Sequence, residues 1–112
     1  MPIRVGIFST DSPLSHELRD YFVGHDLIVK LFEKTDDVKR LDVVLIFTDF
    51  AGGGYSFCQQ TRETNSTLPI AILSNERAIG EEVKANFAGA NAVFKIPFDP
   101  AHLLKFVQVG SV

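Results

Sequence analysis

Residues 43–47 read Val-Val-Leu-Ile-Phe, an apolar run without a polar break. A short run of this kind indicates a strand that is buried on both faces, as in a parallel sheet. Further runs rich in β-branched and aromatic residues lie at residues 3–8, 27–32, 69–73 and 92–96. The sequence therefore predicts five strands, of which residues 43–47 form the third.

Helical patterns separate most of these strands. Ser12 suits the N-cap of a first helix, and Gly24 suits its end. Between them Leu14, Leu18 and Phe22 recur at helical spacing. This pattern predicts an amphipathic helix that packs on the sheet.

Three more helices are expected farther along the chain. One is predicted at about residues 55–62, and another over residues 80–88 with Val83 and Phe87 facing inward. Asp99 suits the N-cap of the last helix, because a proline follows it at the first helical position. The apolar residues of that helix are Leu103, Leu104, Phe106 and Val107.

Strands that alternate with helices along a short chain are typical of one α/β domain, here residues 1–112. The predicted fold is a flavodoxin-like, doubly wound parallel sheet of five strands in the order 2-1-3-4-5. In this topology the loops after strands one and three form a crevice at the carboxyl edge of the sheet. Any chemistry is expected in that crevice.

The connection between strands two and three is short. About residues 34–41 are left for it, which is too few for a full crossover helix. We therefore predict that the second helix is shortened or absent, so that part of one sheet face is thinly covered. Exposed apolar surface of this kind is typically covered by a partner or a second copy.

Composition excludes several classes of function. The formal net charge is −3, so the chain lacks the basic excess that nucleic-acid binding requires. No apolar run approaches the ~20 residues that span a bilayer. The single cysteine, Cys58, excludes a disulfide framework and is interpreted as a buried structural thiol in a reducing compartment. We therefore predict a cytoplasmic protein that binds neither nucleic acid nor membrane.

Motifs in the C-terminal half follow one another without a gap. They are Ile72-Leu73-Ser74, the Ala88-Gly89-Ala90-Asn91-Ala92 turn, and Ile96-Pro97-Phe98-Asp99-Pro100 leading into Leu103-Leu104. With the Leu-Asp-Val-Val-Leu-Ile run at residues 41–46, they resemble the receiver domain of bacterial two-component response regulators. The resemblance covers nearly the whole chain except the second helix.

Such a resemblance implies a defined chemistry. In a receiver, an aspartate at the end of strand three attacks a phosphohistidine and forms an acyl phosphate. Two acids after strand one help that aspartate to hold Mg²⁺. A lysine before the proline after strand five pairs with the phosphate, and a Ser or Thr after strand four donates a hydrogen bond to it.

This sequence departs from the receiver pattern at most of those positions. The acceptor position falls on Phe47, the lysine position falls on Ile96, and the acidic pair falls within residues 9–11 as Ser9-Thr10 or Thr10-Asp11. Ser74 is retained. The prediction is a vestigial phosphorylation pocket without catalysis, cofactor or metal. Its members are Ser9, Thr10, Asp11, Phe47, Asp49, Ser74 and Ile96.

Two other interpretations stay open. A displaced receiver site would use Asp49 as the acceptor, Asp11 as a Mg²⁺ ligand and Lys95 as the counter-charge. Alternatively, residues 8–12 (Phe-Ser-Thr-Asp-Ser) resemble the phosphate loop of flavodoxins, which would imply a small flavin or phosphate binder.

The favoured hypothesis is an atypical receiver that acts by phosphorylation-independent protein–protein interaction in signal transduction or transcriptional regulation. The family resemblance places its interaction face on the helix before strand five, on strand five itself and on the last helix. The predicted members are Glu82, Lys84, Ala85, Lys95, Lys105, Phe106 and Gln108. A homodimer, if one forms, would use this face or the thinly covered side of the sheet. The domain is also compatible with being a piece of a longer regulator.

Overall fold

The computed structural model describes residues 2–10, 12–36, 38–50, 53–74 and 80–110, with only the backbone given at residues 81, 82 and 110. Strands and helices alternate along this part of the chain, except that the third strand follows the second without a helix between them. They are β1 (Arg4–Phe8), α1 (Pro13–Val23), β2 (Ile28–Phe32), β3 (Val43–Phe47), α2 (Gly54–Thr64), β4 (Ile70–Ser74), α3 (Glu81–Ala88), β5 (Ala92–Lys95) and α4 (Pro100–Gly110).

All five strands are parallel and form one sheet in the order β2-β1-β3-β4-β5, which confirms the predicted topology. Every residue of β3 is buried, as the unbroken apolar run predicts. The predicted strand limits are correct to within one residue. The strand predicted over residues 92–96 ends at Lys95, although Ile96 still donates its N–H to the Ser74 carbonyl oxygen.

Helices cover both faces of the sheet. On the α1/α4 face, α1 and α4 pack over side chains such as Val5, Leu45 and Leu73. On the α2/α3 face, α2 and α3 pack over side chains such as Val44 and Ile72. Neighbouring residues of each strand alternate between the two faces, which is why a central strand must be apolar at every position.

Local capping sets the predicted starts of α1 and α4. The Ser15 N–H donates to Ser12 Oγ over 3.3 Å, and the Ser15 hydroxyl group completes a capping box. At α4 the Ala101 N–H donates to Asp99 Oδ1 over 2.9 Å. Both N-caps predicted from the sequence are therefore confirmed.

The β2–β3 connection is a loop. Among its described residues (33–36 and 38–42) none is helical, as the short spacing predicts. Val38 is buried on the α2/α3 face, and Leu41 lies over the backbone of β1. A Cβ atom at Gly6 would approach Leu41 Cδ1 to 2.5 Å. The absence of a side chain at Gly6 thus allows the loop to lie on the sheet.

One feature of α3 differs from the sequence prediction. Val83 and Phe87 do not face inward, since their exposed fractions are 57% and 84%. The helix packs instead through Ala85 and Ala88, of which Ala85 is 1% exposed. These small side chains let α3 approach α2 closely enough for the Cys58 thiol to lie 3.4 Å from the Ala88 carbonyl oxygen. A larger side chain on that stripe would hold the two helices apart.

Candidate functional site

The loops after β1 and β3 meet at the carboxyl edge of the sheet, as predicted. Ser9 is buried there, and its N–H donates to the Phe32 carbonyl oxygen over 3.0 Å. Thr10 is exposed, and its hydroxyl group donates to Asp49 Oδ2 over 3.2 Å. The structure therefore brings together two of the predicted pocket residues, Thr10 and Asp49. Asp11 lies outside the described residues.

The end of β3 is apolar. Phe47 is 3% exposed and belongs to the buried cluster of the α1/α4 face. Ile96 and Phe98 are partly buried and pack against the same cluster. The positions that the receiver resemblance assigns to a nucleophile and to a lysine therefore lie in one hydrophobic environment. A phenyl ring can neither attack phosphorus nor bind a metal ion.

A tight turn after β3 decides where Asp49 lies. The Phe50 N–H donates to the Phe47 carbonyl oxygen over 3.1 Å, and Phe50 is buried on the α2/α3 face. Asp49 lies at the exposed tip of this turn. Its carboxylate therefore stands in solvent beside Thr10, two residues beyond the end of the strand.

α2 begins directly against this turn. A Cβ atom at Gly54 would lie 2.5 Å from the Phe47 carbonyl oxygen and 3.0 Å from Thr48 Cα. Glycine at this position therefore allows the helix to start in contact with the end of β3. The sequence pattern missed this close approach, because it depends on two backbone segments meeting in space.

The remaining pocket residues lie on the strands farther along the sheet. Ser74 is fully buried at the end of β4, and its carbonyl oxygen accepts the N–H of Ile96 over 2.8 Å. Lys95 pairs with Ser74 in the β4–β5 register, and its side chain is exposed. Within the described ranges, no group of three His, Cys, Asp or Glu side chains is placed to hold a metal ion.

A cavity of about 540 Å³ lies beside Ser9 and Thr10. Its lining includes His16, Lys30 and Lys34, which no pattern in the sequence assigns to the site. Lys30 reaches this position because β2 runs parallel to β1 and ends at the same edge. Spacing along the sequence does not predict that these residues lie close together, because the pairing of β1 with β2 brings them there.

Cys58 is a buried structural thiol, as predicted. Burial raises its pKa to about 11, although the neighbouring Arg62 acts in the opposite direction. The thiol is therefore protonated at neutral pH and is not a nucleophile.

The predicted interaction face is exposed in part. Lys84, Lys95, Lys105 and Gln108 are exposed. Phe106 is half-buried, with its ring centroid 5.9 Å from that of Phe94. The side chain of Glu82 lies outside the described residues.

The assignment of Ala85 to this face is wrong, because Ala85 is on the inner side of α3. The exposed apolar residues of the helix are Val83 and Phe87. Helical spacing predicts that these two side chains lie in the core, but they belong to the surface.

Within the described part of the chain, no helix has the length and hydrophobicity that crossing a bilayer requires.

Sequence comparison finds no matching family profile and no matching curated protein. Comparison of structures does find similar folds. A protein of Chloroflexus aurantiacus assigned as a response regulator has a TM-score of 0.89 at 22% identity, with 99% of this chain and 98% of that chain covered. A CheY-like response regulator receiver domain protein of Methanospirillum hungatei has a TM-score of 0.85 at 12% identity, covering 99% and 94%. HP1043, an orphan response regulator of H. pylori, has a TM-score of 0.82 at 19% identity, covering 98% and 97%. The chain therefore has the fold of response-regulator receiver domains.

Proposed function

We propose that this chain is a receiver-like signalling domain that acts by binding another protein and does not form an acyl phosphate. The observation that carries the proposal is Phe47, which is buried at the carboxyl end of β3. The receiver resemblance places the phosphoacceptor aspartate at this position. The shared fold supports a receiver-like role, and the buried ring argues against phosphoryl transfer at this point.

The surroundings of Phe47 support the same conclusion. Ile96 occupies the lysine position and packs against the cluster that contains Phe47. Replacing a buried group of charges by apolar side chains often preserves or raises stability. An aspartate at position 47 without the lysine, or a lysine at position 96 without the aspartate, would be a buried charge with no counter-charge. Apolar residues at both positions avoid such an unpaired charge.

A displaced phosphoacceptor is the second candidate function. It is favoured by one observation, the hydrogen bond from the Thr10 hydroxyl group to the exposed Asp49 carboxylate. In that case Asp49 would attack the phosphoryl donor, with Asp11 as a Mg²⁺ ligand and Lys95 as the counter-charge. The flavin or phosphate binder has weaker support, namely the cavity beside Ser9 and Thr10.

Incubation with acetyl phosphate and Mg²⁺, followed by intact-mass measurement, tests the proposal. We expect no mass increase of one phosphoryl group in the wild-type chain or in Asp49→Asn. A receiver that carries the acceptor aspartate, treated in parallel, shows that the reagent is active. A phosphoryl adduct on the wild type that is absent from Asp49→Asn would contradict the proposal and establish the displaced site.

The binding surface that we propose is formed by α3, β5 and α4. On α3 the exposed side chains of Val83 and Phe87 provide apolar contact area beside Lys84, and on α4 Lys105 is exposed. Interfaces typically combine an apolar centre with a polar rim of this kind. The partner is a signalling or output protein, or a second copy of this chain.

Sedimentation velocity over a concentration series separates these two partners. Self-association of the wild type that is lost in Phe87→Glu would identify a second copy as the partner on this face. A wild-type chain that stays monomeric throughout would leave a different protein as the partner.

A further inference from the structure

The thinly covered side of the sheet forms a groove with a distinct charge. We propose that this groove binds an acidic amphipathic helix of a protein partner. We call it the β2 groove; it has a volume of about 500 Å³ and includes Arg4, Ile28, Lys30, Lys39, Arg40 and Leu41 in its lining. It is separate from the α3–β5–α4 surface, so the proposal goes beyond the proposed function.

The short β2–β3 connection creates this groove. In a parallel sheet the crossover between two strands is usually a helix that covers the face it crosses. Here the connection covers β1 with Val38 and Leu41, and no helix lies over β2 on that face among the described residues. The uncovered strip therefore lies where a crossover helix would pack.

The floor of the groove is apolar. Every second residue of β2 faces the side of the sheet that carries the loop. These residues are Ile28, Lys30 and Phe32. Ile28 is 49% exposed although it lies in a strand, whereas Phe32 is buried beneath the loop. An exposed isoleucine next to the half-buried Leu41 provides a contact site for an apolar side chain.

The rim of the groove is basic. Its described lining residues include four cations, Arg4, Lys30, Lys39 and Arg40, and one acid, Asp36. Lys30 Nζ lies 5.1 Å from the centroid of the Phe32 ring, so this cation stands directly beside the apolar floor. The chain as a whole has a net charge of −3. The groove is therefore a basic patch on an acidic protein.

The charge of the rim indicates which kind of partner the groove would bind. An acidic partner gains favourable contacts with the rim, whereas a second copy placed groove to groove would oppose cations to cations. An amphipathic helix presents apolar residues three and four positions apart with charged residues beside them. It therefore matches both the floor and the rim, and it replaces the missing crossover helix.

Binding of a designed peptide tests the proposal. The probe is a helical peptide of about 20 residues, with leucines at helical spacing and glutamates elsewhere. The same peptide with lysine in place of glutamate is its control. In a titration followed by NMR with isotope-labelled wild-type chain, we expect the glutamate peptide to shift the amides of Ile28, Lys30 and Arg40. The lysine peptide should leave them unchanged.

Charge reversal then localises the site. We expect Lys30→Glu/Arg40→Glu to weaken binding of the glutamate peptide about tenfold at low salt, because two attractive contacts become repulsive. Arg19→Glu, a single charge reversal of this kind on α1 on the opposite side of the sheet, should have no effect. Ile28→Ser tests the apolar floor without changing charge, and it should also weaken binding. Dispersed amide spectra of each variant confirm that the fold is intact.

Three outcomes would overturn the proposal. They are the absence of binding by the glutamate peptide, amide shifts on α3 and α4 in place of β2, and tighter binding in the β2 groove by a single-stranded oligonucleotide than by the peptide. The result is independent of the phosphoryl-transfer experiment. A phosphoryl adduct on Asp49 would contradict the proposed function and leave the groove untouched, whereas a failed titration would do the reverse.

Discussion

The two halves of the α2/α3 face differ in how they are covered. Over β3 and β4, the helices α2 and α3 bury every residue of the sheet, and the Cys58 side chain is inaccessible to solvent. Over β1 and β2 a loop covers the sheet, and Ile28 is half exposed. One sheet face therefore combines a closed core with an open groove.

Polar contacts reinforce this difference. In the closed half Arg62 donates to the carbonyl oxygen of Gly89 over 2.8 Å and to Asn91 Oδ1 over 3.0 Å. Asn91 Oδ1 also accepts the N–H of Ile70 over 2.9 Å, which joins α2, β4 and the α3–β5 turn. In the open half the Arg4 N–H donates to Asp42 Oδ2 over 2.8 Å. A network that spans three elements thus holds the closed half together, whereas a loop covers the open half, and loop-covered regions of a fold open more readily.

Phe8→Ala should destabilise both halves of this sheet face together. The ring of Phe8 stacks on Phe32 at 4.4 Å and lies 4.6 Å from Phe57, so it joins the open half to the closed half. We expect a loss of about 3 to 5 kcal/mol in the free energy of unfolding, measured by urea denaturation. Phe8→Leu should cost less, and a loss below about 1 kcal/mol in Phe8→Ala would contradict the role of this ring.

Gly54→Ala tests the attachment of α2 to β3 in the closed half. The added Cβ atom would meet the Phe47 backbone, so α2 must shift, and we expect a loss of about 1 to 3 kcal/mol on unfolding. Gly24→Ala is the matched control. Its φ of −64° is ordinary and its Cβ atom would lie 3.4 Å from the nearest atom, so we expect little change. Equal losses in both variants would contradict this account.

Leu41→Ala tests how much the loop contributes to the stability of the open half. Leu41 is half-buried over Gly6, and its truncation should lower the free energy of unfolding by about 1 kcal/mol. Amide hydrogen exchange should quicken in β1 and β2 and stay unchanged in β4. Equal acceleration in β4 would show that the two halves open together.

The pH dependence of stability tests how tightly the closed half excludes water at Cys58. The ordinary pKa of 9.0 applies to the unfolded chain, and burial raises the folded value to about 11. Between these pH values the unfolded thiol loses its proton while the folded thiol keeps it, so stability falls as pH rises.

We expect a loss of about 1 kcal/mol per pH unit relative to Cys58→Ala, measured by urea denaturation from pH 8 to 11. Below pH 9 the two slopes should coincide. Parallel curves over the whole range would show that the thiol is open to solvent.

Much of the candidate site could be predicted from the sequence, because strand ends are marked by local patterns. The sequence predicts that Phe47 ends β3 and that Thr10 and Asp49 lie in one crevice, and both agree with the structure. The inward side of α3 could not be predicted. Val83 and Phe87 form one apolar stripe, and Ala85 and Ala88 form another. Helical spacing alone does not show which of the two stripes faces the interior.

The tertiary structure decided between those stripes through the distance between α2 and α3. Only the alanine stripe allows α3 to approach Cys58, which is far away in the sequence. The tight start of α2 at Gly54 and the basic rim of the β2 groove arise in the same way, because separate segments meet in space. Residue order by itself determined the five strands, their parallel arrangement, the missing crossover helix and the phenyl ring at the end of β3. Hydrophobic runs, caps and loop lengths are local properties, whereas packing distances are not.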